Sequence, residues 1–326
     1  MSGFAGFLTA AWYRADLWLW LLRPLEGVYR LAVSLRAWLY RRGIFRAVHP
    51  DQPVVVVGNI TAGGTGKTPV VIALVDALKS RGLMAGVVSR GYGASGNDFP
   101  HVLGKNSTVR DCGDEPLLIH RRTGAPCVVS PSRVEACLAL LERYPVDIVI
   151  SDDGLQHYAL GRSLEIALYD ARLGFGNGFC LPAGPLREPR RRLDTVDFAL
   201  ARGSQAVAGD VFYEADCLVN LIDKRKLPAN PHELGTEVYA VAGIGEPGQF
   251  ADMLKGLGFN PEQVNFRDHH DYQPGDFAGL VGKPIIMTEK DAVKCATFAG
   301  DNSWYLRIHA QVPEALINAV VALAIQ

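Results

Sequence analysis

Apolar and polar positions alternate along this chain in two registers. After residue 48, short runs of β-branched and small apolar residues recur at 54–57, 86–89, 127–130, 147–151 and 164–169. Between them lie stretches with apolar residues at helical spacing, over 69–81, 115–122 and 132–143. Strands separated by helices of this length predict a parallel sheet covered by helices on both faces. The runs 54–57 and 148–150 are apolar without interruption, the pattern of central strands buried on both sides. A second alternating set follows, with strands expected at 217–221, 238–242, 284–287 and 304–308 and helices at 249–257 and 314–324. The pattern divides the chain into an N-terminal helical segment (1–48), a larger α/β core (49–215) and a smaller α/β unit (216–326). Between strands, 175–192 is rich in glycine, proline and arginine and reads as a long functional loop.

The first 48 residues follow neither register. Four of the five tryptophans (Trp12, Trp18, Trp20, Trp38) fall here, and seven arginines face only Asp16 and Glu26, a net of about +5. A membrane-crossing helix needs about 20 mostly apolar residues, and the run 17–22 stops at Arg23 and Pro24. A cleavable leader fits poorly too, because basic residues follow the apolar run and no Ala-x-Ala site is evident. Arginine mixed with tryptophan and leucine describes a helix lying at an anionic bilayer surface; a helix packed on the protein's own core is the other reading. Pro24 is expected to kink or divide it.

Composition narrows the rest. The 326 residues suffice for one large or two modest domains, and a net charge of −1 argues against a nucleic-acid binder. Six scattered cysteines without a Cys-x-x-Cys pair predict small buried apolar groups rather than disulfides or structural zinc. No protein partner is evident.

The chemistry begins at Thr61-Ala62-Gly63-Gly64-Thr65-Gly66-Lys67-Thr68. A strand, a glycine-rich turn and a helix start, in that order, aim several backbone N–H groups at one point, a cradle for phosphates. Lys67 is placed to reach the β- and γ-phosphates, and Thr68 to put its hydroxyl on Mg²⁺. Pro69 sits in the first helical turn, where a missing N–H costs little. The general pattern asks for glycine where Thr61 stands. Strand 147–151 then runs into Asp152-Asp153-Gly154. Parallel strands present their C-terminal ends to the ligand crevice, so one of these acids is expected to hold Mg²⁺, although Asp before Gly also suits an Asx turn.

Other segments leave two readings open. Asp114, in Gly113-Asp114-Glu115-Pro116, is a helix cap or a base that accepts a hydroxyl proton. Arg90 is a contact to an anionic group or a solvated arginine. Arg187, Arg190, Arg191 and Arg192 form a cluster suited to phosphate or to anionic lipid. His269 and His270, between Asp268 and Asp271, lack zinc spacing, which leaves an orienting or acid–base role or an ordinary loop histidine.

Taken in order, these segments resemble the tetraacyldisaccharide 4′-kinase family, the lipid A 4′-kinases of Gram-negative bacteria. The resemblance runs through Gly58-Asn59-Ile60 and the phosphate loop, Ser89-Arg90-Gly91-Tyr92-Gly93, Gly113-Asp114-Glu115-Pro116 and Asp152-Asp153-Gly154-Leu155-Gln156-His157. It continues through Gly184-Pro185-Leu186-Arg187-Glu188, Asp268-His269 and Thr288-Glu289-Lys290-Asp291. Thr61 is what that family looks like at its position. The resemblance implies transfer of the ATP γ-phosphoryl group to the 4′-hydroxyl of a tetraacyldisaccharide 1-phosphate, the lipid A precursor. It further implies a peripheral enzyme on the cytoplasmic face of the inner membrane, with two α/β/α domains around a cleft. By the same analogy Asp114 and His269 form a dyad that activates the acceptor. Asp152, Asp153 and Glu188 surround Mg²⁺, and Arg187 stabilises phosphate charge.

Other nucleotide-binding classes fit less well. A partitioning-type ATPase carries lysine where Ala62 stands, and a GTPase asks for Asn-Lys-x-Asp where Asn220-Leu221-Ile222-Asp223 lacks the lysine. A nucleotide-gated membrane-binding module needs no acceptor site.

Overall fold

In the computed structural model, which describes residues 2–96, 98–203 and 210–326, the apolar runs assemble into a single mixed sheet. Helix α1 (Ser2–Arg14) and a 3₁₀ turn (Leu17–Leu22) lead into α2 (Arg23–Arg41), with Pro24 in the first turn of α2. The proline thus marks the start of α2, while the earlier break after α1 falls at Ala15, which holds φ +57°. Next come β1 (Val54–Gly58), α3 (Lys67–Lys79), β2 (Ala85–Ser89), β3 (His101–Val102), α4 (Val109–Cys112), α5 (Asp114–Thr123) and β4 (Cys127–Val129). The core continues with α6 (Arg133–Arg143), β5 (Ile148–Asp152), β6 (Leu164–Asp170), β7 (Phe198–Gly203) and β8 (Val211–Asn220). The remaining elements are β9 (Lys226–Pro228), β10 (Glu237–Ala242), α7 (Pro247–Gly256), β11 (Asn260–Asn265), β12 (Ile285–Thr288), α8 (Glu289–Cys295), β13 (Ser303–Gln311) and α9 (Glu314–Ile325).

The strand order is β11-β10-β12-β13-β8-β7-β6-β1-β5-β2-β4-β3, with β9 on β8. Strands β7, β6, β1, β5, β2 and β4 are mutually parallel, as are β11, β10, β12 and β13. The two parallel sets meet where β13 runs antiparallel to β8. Strand β8 also continues the first set through a short parallel pairing with β7.

Strand β1 sits at the centre of its set because all five of its residues are buried. Its Val57 lies level with Asp152 on β5, so the glycine-rich loop and the acid pair leave the sheet side by side. Helix α3 covers one face with Val70, Val71, Leu74, Val75 and Leu78, all buried. On the other face Ala136, Cys137 and Leu140 of α6 pack against Val54, Val56 and Val149.

Several strands were absent from the sequence pattern. Strand β11 reads Asn-Pro-Glu-Gln-Val-Asn, which is polar because it is an exposed sheet edge, a place that also tolerates proline. Strand β3 has only two residues, and β7 is half-buried and rich in alanine. All six cysteines are free and buried, as their scatter predicts.

The N-terminal segment packs in part on the protein's own core and leaves one side open. Ala11, Trp12 and Leu19 are buried, and the indole N–H of Trp12 donates to Pro182 O at 2.9 Å. Glu26, also buried, accepts the backbone N–H of Cys180. Tyr29 donates its hydroxyl to Arg187 O at 2.9 Å. The opposite side of α2 is apolar and open, with Leu25, Val28, Leu31, Leu35 and Trp38 all exposed, Val28 and Leu31 at 69% each. Leu17, Trp20 and Leu21 extend that surface. Among the described residues, no helix is long and apolar enough to cross a membrane.

Candidate active site

The loop between β1 and α3 is fixed from within and from both sides. Asn59 Nδ2 donates to Thr61 O and Gly63 O, while Asn59 Oδ1 lies 3.3 Å from Lys67 Nζ. On one side 185–187 runs beside the loop, with Ala62 N donating to Pro185 O and Arg187 N to Ile60 O, both at 2.7 Å. Thr61 pairs there with Leu186 as an isolated antiparallel bridge. Gly63 and Gly66 take positive φ but Thr61 does not, so a buried β-branched residue serves at a position where the general pattern has glycine. On the other side Tyr213 of β8 donates its hydroxyl to Gly66 O. Gly66 (φ +75°) lets Lys67 open helix α3, leaving the free N–H groups of its first turn at the loop.

Lys67, Asp153 and Arg187 converge. Lys67 Nζ lies 3.3 Å from Asp153 Oδ1, and Arg187 reaches both Asp153 oxygens at 3.2 and 3.0 Å. Burial raises the pKa of Asp153, but Lys67 and Arg187 together pull it well below the usual carboxylate range. Asp153 holds φ +49°, a conformation uncommon for any residue but glycine, and this turns its side chain from the strand end toward the lysine. Asp152, the last residue of β5, is its opposite. It is buried, neither oxygen has a hydrogen-bond partner, and burial followed by the Glu115 charge pushes its pKa up to about 7.

Glu188 is tied to the loop through Gln156, whose Nε2 also donates to Asn59 O at 3.1 Å. Its oxygens take Gln156 Nε2 at 2.7 Å and the Tyr158 hydroxyl, and Arg192 Nε lies at 3.5 Å. Thr68 is buried in the first turn of α3. Arg90 is exposed beyond β2. It joins Arg133 and Arg36 in the field around His157, whose pKa burial and these cations push down to about 4.

The second cluster joins the two parallel sets. Asp114 is the first residue of α5, and the cap position belongs to Gly113, so the helix-cap reading gives way. His269 Nδ1 lies 2.9 Å from Asp114 Oδ2. Lys290 Nζ faces the other imidazole nitrogen at 3.3 Å and reaches Glu115 at 3.1 Å and Asp268 at 3.2 Å. An ammonium group only donates, so Nε2 is the acceptor and Nδ1–H donates to Asp114. Burial pushes the Asp114 pKa up, yet the His269 hydrogen bond and the charges of Lys290 and Lys294 hold it below its ordinary value. Burial lowers the His269 pKa, and the hydrogen bond to Asp114 together with the charges of Asp114 and Asp268 lifts it above its ordinary value. Asp114, Glu115 and His269 bring three ligand atoms within 4.8 Å of one another, but the ammonium of Lys290 sits among them. His270 takes no part, since it bonds Asp276 at 2.9 Å and stacks on Phe266.

Between the two sets lies a cavity of about 210 Å³. Gly64 to Thr68, Glu115, Asp268 and Lys290 supply its polar wall, and Ile72, Leu118, Ile244, Phe250, Met253 and Ile308 its apolar wall. One cleft thus combines a polar wall and an apolar wall. Asn59, Gln156 and Lys290 were not among the sequence-based site residues. Lys290 follows the C-terminal end of β12, the kind of position that exposed Asp152 and Asp153.

Residues 18–324 match the family model for tetraacyldisaccharide-1-P 4′-kinase. A tetraacyldisaccharide 4′-kinase from Alcanivorax borkumensis is 45% identical over all of this chain and 99% of its own length. One from Pseudomonas syringae is 44% identical over 97% of this chain and 96% of its own. Among solved structures, LpxK from Aquifex aeolicus, described as an "apo" form in complex with ATP, superimposes with a TM-score of 0.79 at 28% identity. It covers 94% of this chain and 99% of that one.

Proposed function

The chain belongs to the tetraacyldisaccharide-1-P 4′-kinase family, and from that premise we propose how its residues carry the reaction. It is an ATP-dependent kinase that phosphorylates the 4′-hydroxyl of a tetraacyldisaccharide 1-phosphate in lipid A biosynthesis. The observation that carries the assignment of roles is the 2.9 Å contact between His269 and Asp114 at the edge of the phosphate-loop cleft.

Asp114 is the base. It is ionised and buried, and it accepts the proton of the 4′-hydroxyl as that oxygen bonds the γ-phosphorus and the bond to the ADP oxygen breaks. His269 donates Nδ1–H to the carboxylate and fixes its orientation. Lys67 and Arg187, with Asp153 between them, stand where charge builds on the transferred group. The loop 61–66 offers backbone N–H groups to the phosphates.

Mg²⁺ fits the carboxylate set. Asp152 keeps both buried oxygens unpartnered, which suits a hard cation. We assign the ion to Asp152 with Thr68, supported by Asp153 and Glu188. When bound, it neutralises charge on the nucleotide phosphates. Arg36 and Arg90, both exposed, provide positive ground for the acceptor's own 1-phosphate, while Arg133, buried and bonded to Ser130 O and Asp152 O, adds only its charge.

Residues 49–215 act as the kinase core and 216–326 as a lid that brings His269 and Lys290 to it. Residues 1–48 dock on the anionic cytoplasmic face of the inner membrane through the open side of α2, holding the cleft at headgroup height. Incubation with γ-labelled ATP and the glycolipid tests the whole reading. Label is expected on the lipid with wild type and absent with Asp114→Asn; label appearing only as free phosphate refutes it.

A further inference from the structure

The arginine cluster 190–192 takes no part in the reaction above. A short 3₁₀ helix (Arg190–Thr195) carries it to the flank of α2, where a second cleft of about 520 Å³ opens. Arg41 and Ser34 line it from α2, Arg191 and Arg192 from the loop, and Arg162 from the turn before β6.

Its cations are of two kinds. Arg162 and Arg192 share Glu165 at 2.8 and 2.5 Å, and Arg192 also approaches Glu188, so these guanidinium groups are neutralised and held in place. Arg41 and Arg191 have no carboxylate within 4.0 Å among the described residues; Arg191 only approaches the Ser34 hydroxyl at 3.5 Å. The cleft therefore has two unspent positive charges, a hydroxyl donor and a rigid wall, which suits one phosphodiester.

Its placement identifies the source of that phosphate. With 3.6 residues per turn, Ser34 and Arg41 lie roughly a third of a turn from the centre line of the open apolar stripe of α2. If the stripe enters a bilayer, that flank comes to the level of the headgroups. Arg36, one of the cations that lower the His157 pKa, lies on the other flank. We propose that the cleft between α2 and the 190–192 loop binds the phosphodiester headgroup of an anionic phospholipid, separately from the acceptor glycolipid. This rests on the membrane-docking reading of α2.

Co-sedimentation of the full chain with vesicles, at fixed ionic strength, tests it. The vesicles are phosphatidylcholine alone, or phosphatidylcholine mixed with phosphatidylglycerol. Wild type is expected to favour the mixed vesicles by roughly tenfold or more, the scale of two basic residues near an anionic surface. Arg41→Gln/Arg191→Gln is expected to lose most of that preference while melting at the wild-type temperature. A charge-matched control, Arg46→Gln/Arg143→Gln, changes exposed arginines outside the cleft and should keep most of the preference.

Equal loss in the control would mean bulk charge and overturn the site. So would a cleft variant that retains the preference, or a wild type that binds both vesicles equally. A higher KM for the glycolipid in neutral detergent micelles would assign the cleft to the acceptor and overturn the proposal. Displacement by millimolar inorganic phosphate with no lipid preference would do the same. Failure of wild type to bind either vesicle would instead remove the docking reading beneath it.

Discussion

The imidazole of His269 and the carboxylate of Asp114 meet at 2.9 Å across 155 residues of chain. They arrive from opposite sides of the antiparallel seam between β8 and β13, so the proposed base is oriented only when the two parallel sets are docked. Two ion pairs hold that docking at the contact of α5 with α8: Glu115–Lys290 at 3.1 Å and Arg122–Glu289 at 2.7 Å.

Asp114→Asn keeps the shape of the side chain and removes its basicity. We expect kcat to fall by about 10²–10⁴-fold with ATP affinity retained. Steady-state kinetics with nucleotide titration separates the two, and a variant that lost only ATP affinity would disprove the role of base.

The same pair makes stability depend on pH. His269 has a raised pKa in the folded state, so its share is complete below the ordinary histidine value and fades as pH climbs through the raised one. The depressed pKa of Asp114 gives a share that is complete above the ordinary carboxylate value and fades as pH drops through the depressed one. The difference in melting temperature between wild type and His269→Ala should thus be largest at roughly pH 4–6.5 and shrink above it. A gap that widens toward pH 8 in ligand-free protein contradicts this.

Gly113 holds φ +85°, and a Cβ there would lie 2.4 Å from the backbone oxygen of Tyr92. Gly124 has a similar φ of +73° with open space around it. Gly113→Ala should cost about 1–3 kcal/mol and lower kcat, because Asp114 is the next residue. Gly124→Ala should cost about 1 kcal/mol and leave kcat alone. Denaturant unfolding with kinetics on both distinguishes them; equal effects would mean that the Tyr92 contact does not matter.

Removing Lys67 leaves Asp153 paired with Arg187, so Lys67→Ala should fold normally. Turnover should fall by at least about 10²-fold, the scale of losing one charge-stabilising donor. Near-normal phosphorylation would refute the phosphate-loop assignment.

The open stripe is tested by Val28→Asp/Leu31→Asp. Both side chains are mostly exposed, so the melting temperature should hold while sedimentation with vesicles declines. Unchanged sedimentation would exclude α2 as the dock.

Much of this was legible in the sequence where one residue type at one spacing has one physical use. The strand-glycine-lysine-threonine order pointed to the turn between β1 and α3, and the rule that strand ends face the crevice put Asp152 and Asp153 beside it, as the register of Val57 with Asp152 has them. Spacing could not show which half-turn each acid takes, and the positive φ of Asp153 is what separates a carboxylate bound to Lys67 from one left unpartnered. Asp114 and His269 could not be paired from spacing, because their contact exists only in the folded sheet; the family resemblance supplied it. Lys290 carried no role beyond its place in the family resemblance, because a lysine in Glu-Lys-Asp looks like an ordinary solvated charge. The polar edge strand β11 carried no alternation to read.

One thread of bonds runs from the apolar helix to the nucleotide loop: Tyr29 on α2 holds the carbonyl of Arg187, whose own N–H holds Ile60. A bilayer that tilts α2 would therefore tug on the scaffold gripping ATP, and by reciprocity a tightened grip would change the hold on lipid. Adhesion and catalysis would then be thermodynamically linked rather than merely adjacent. Tyr29→Phe, which cuts the thread at one oxygen, should leave ATP affinity indifferent to whether vesicles are present.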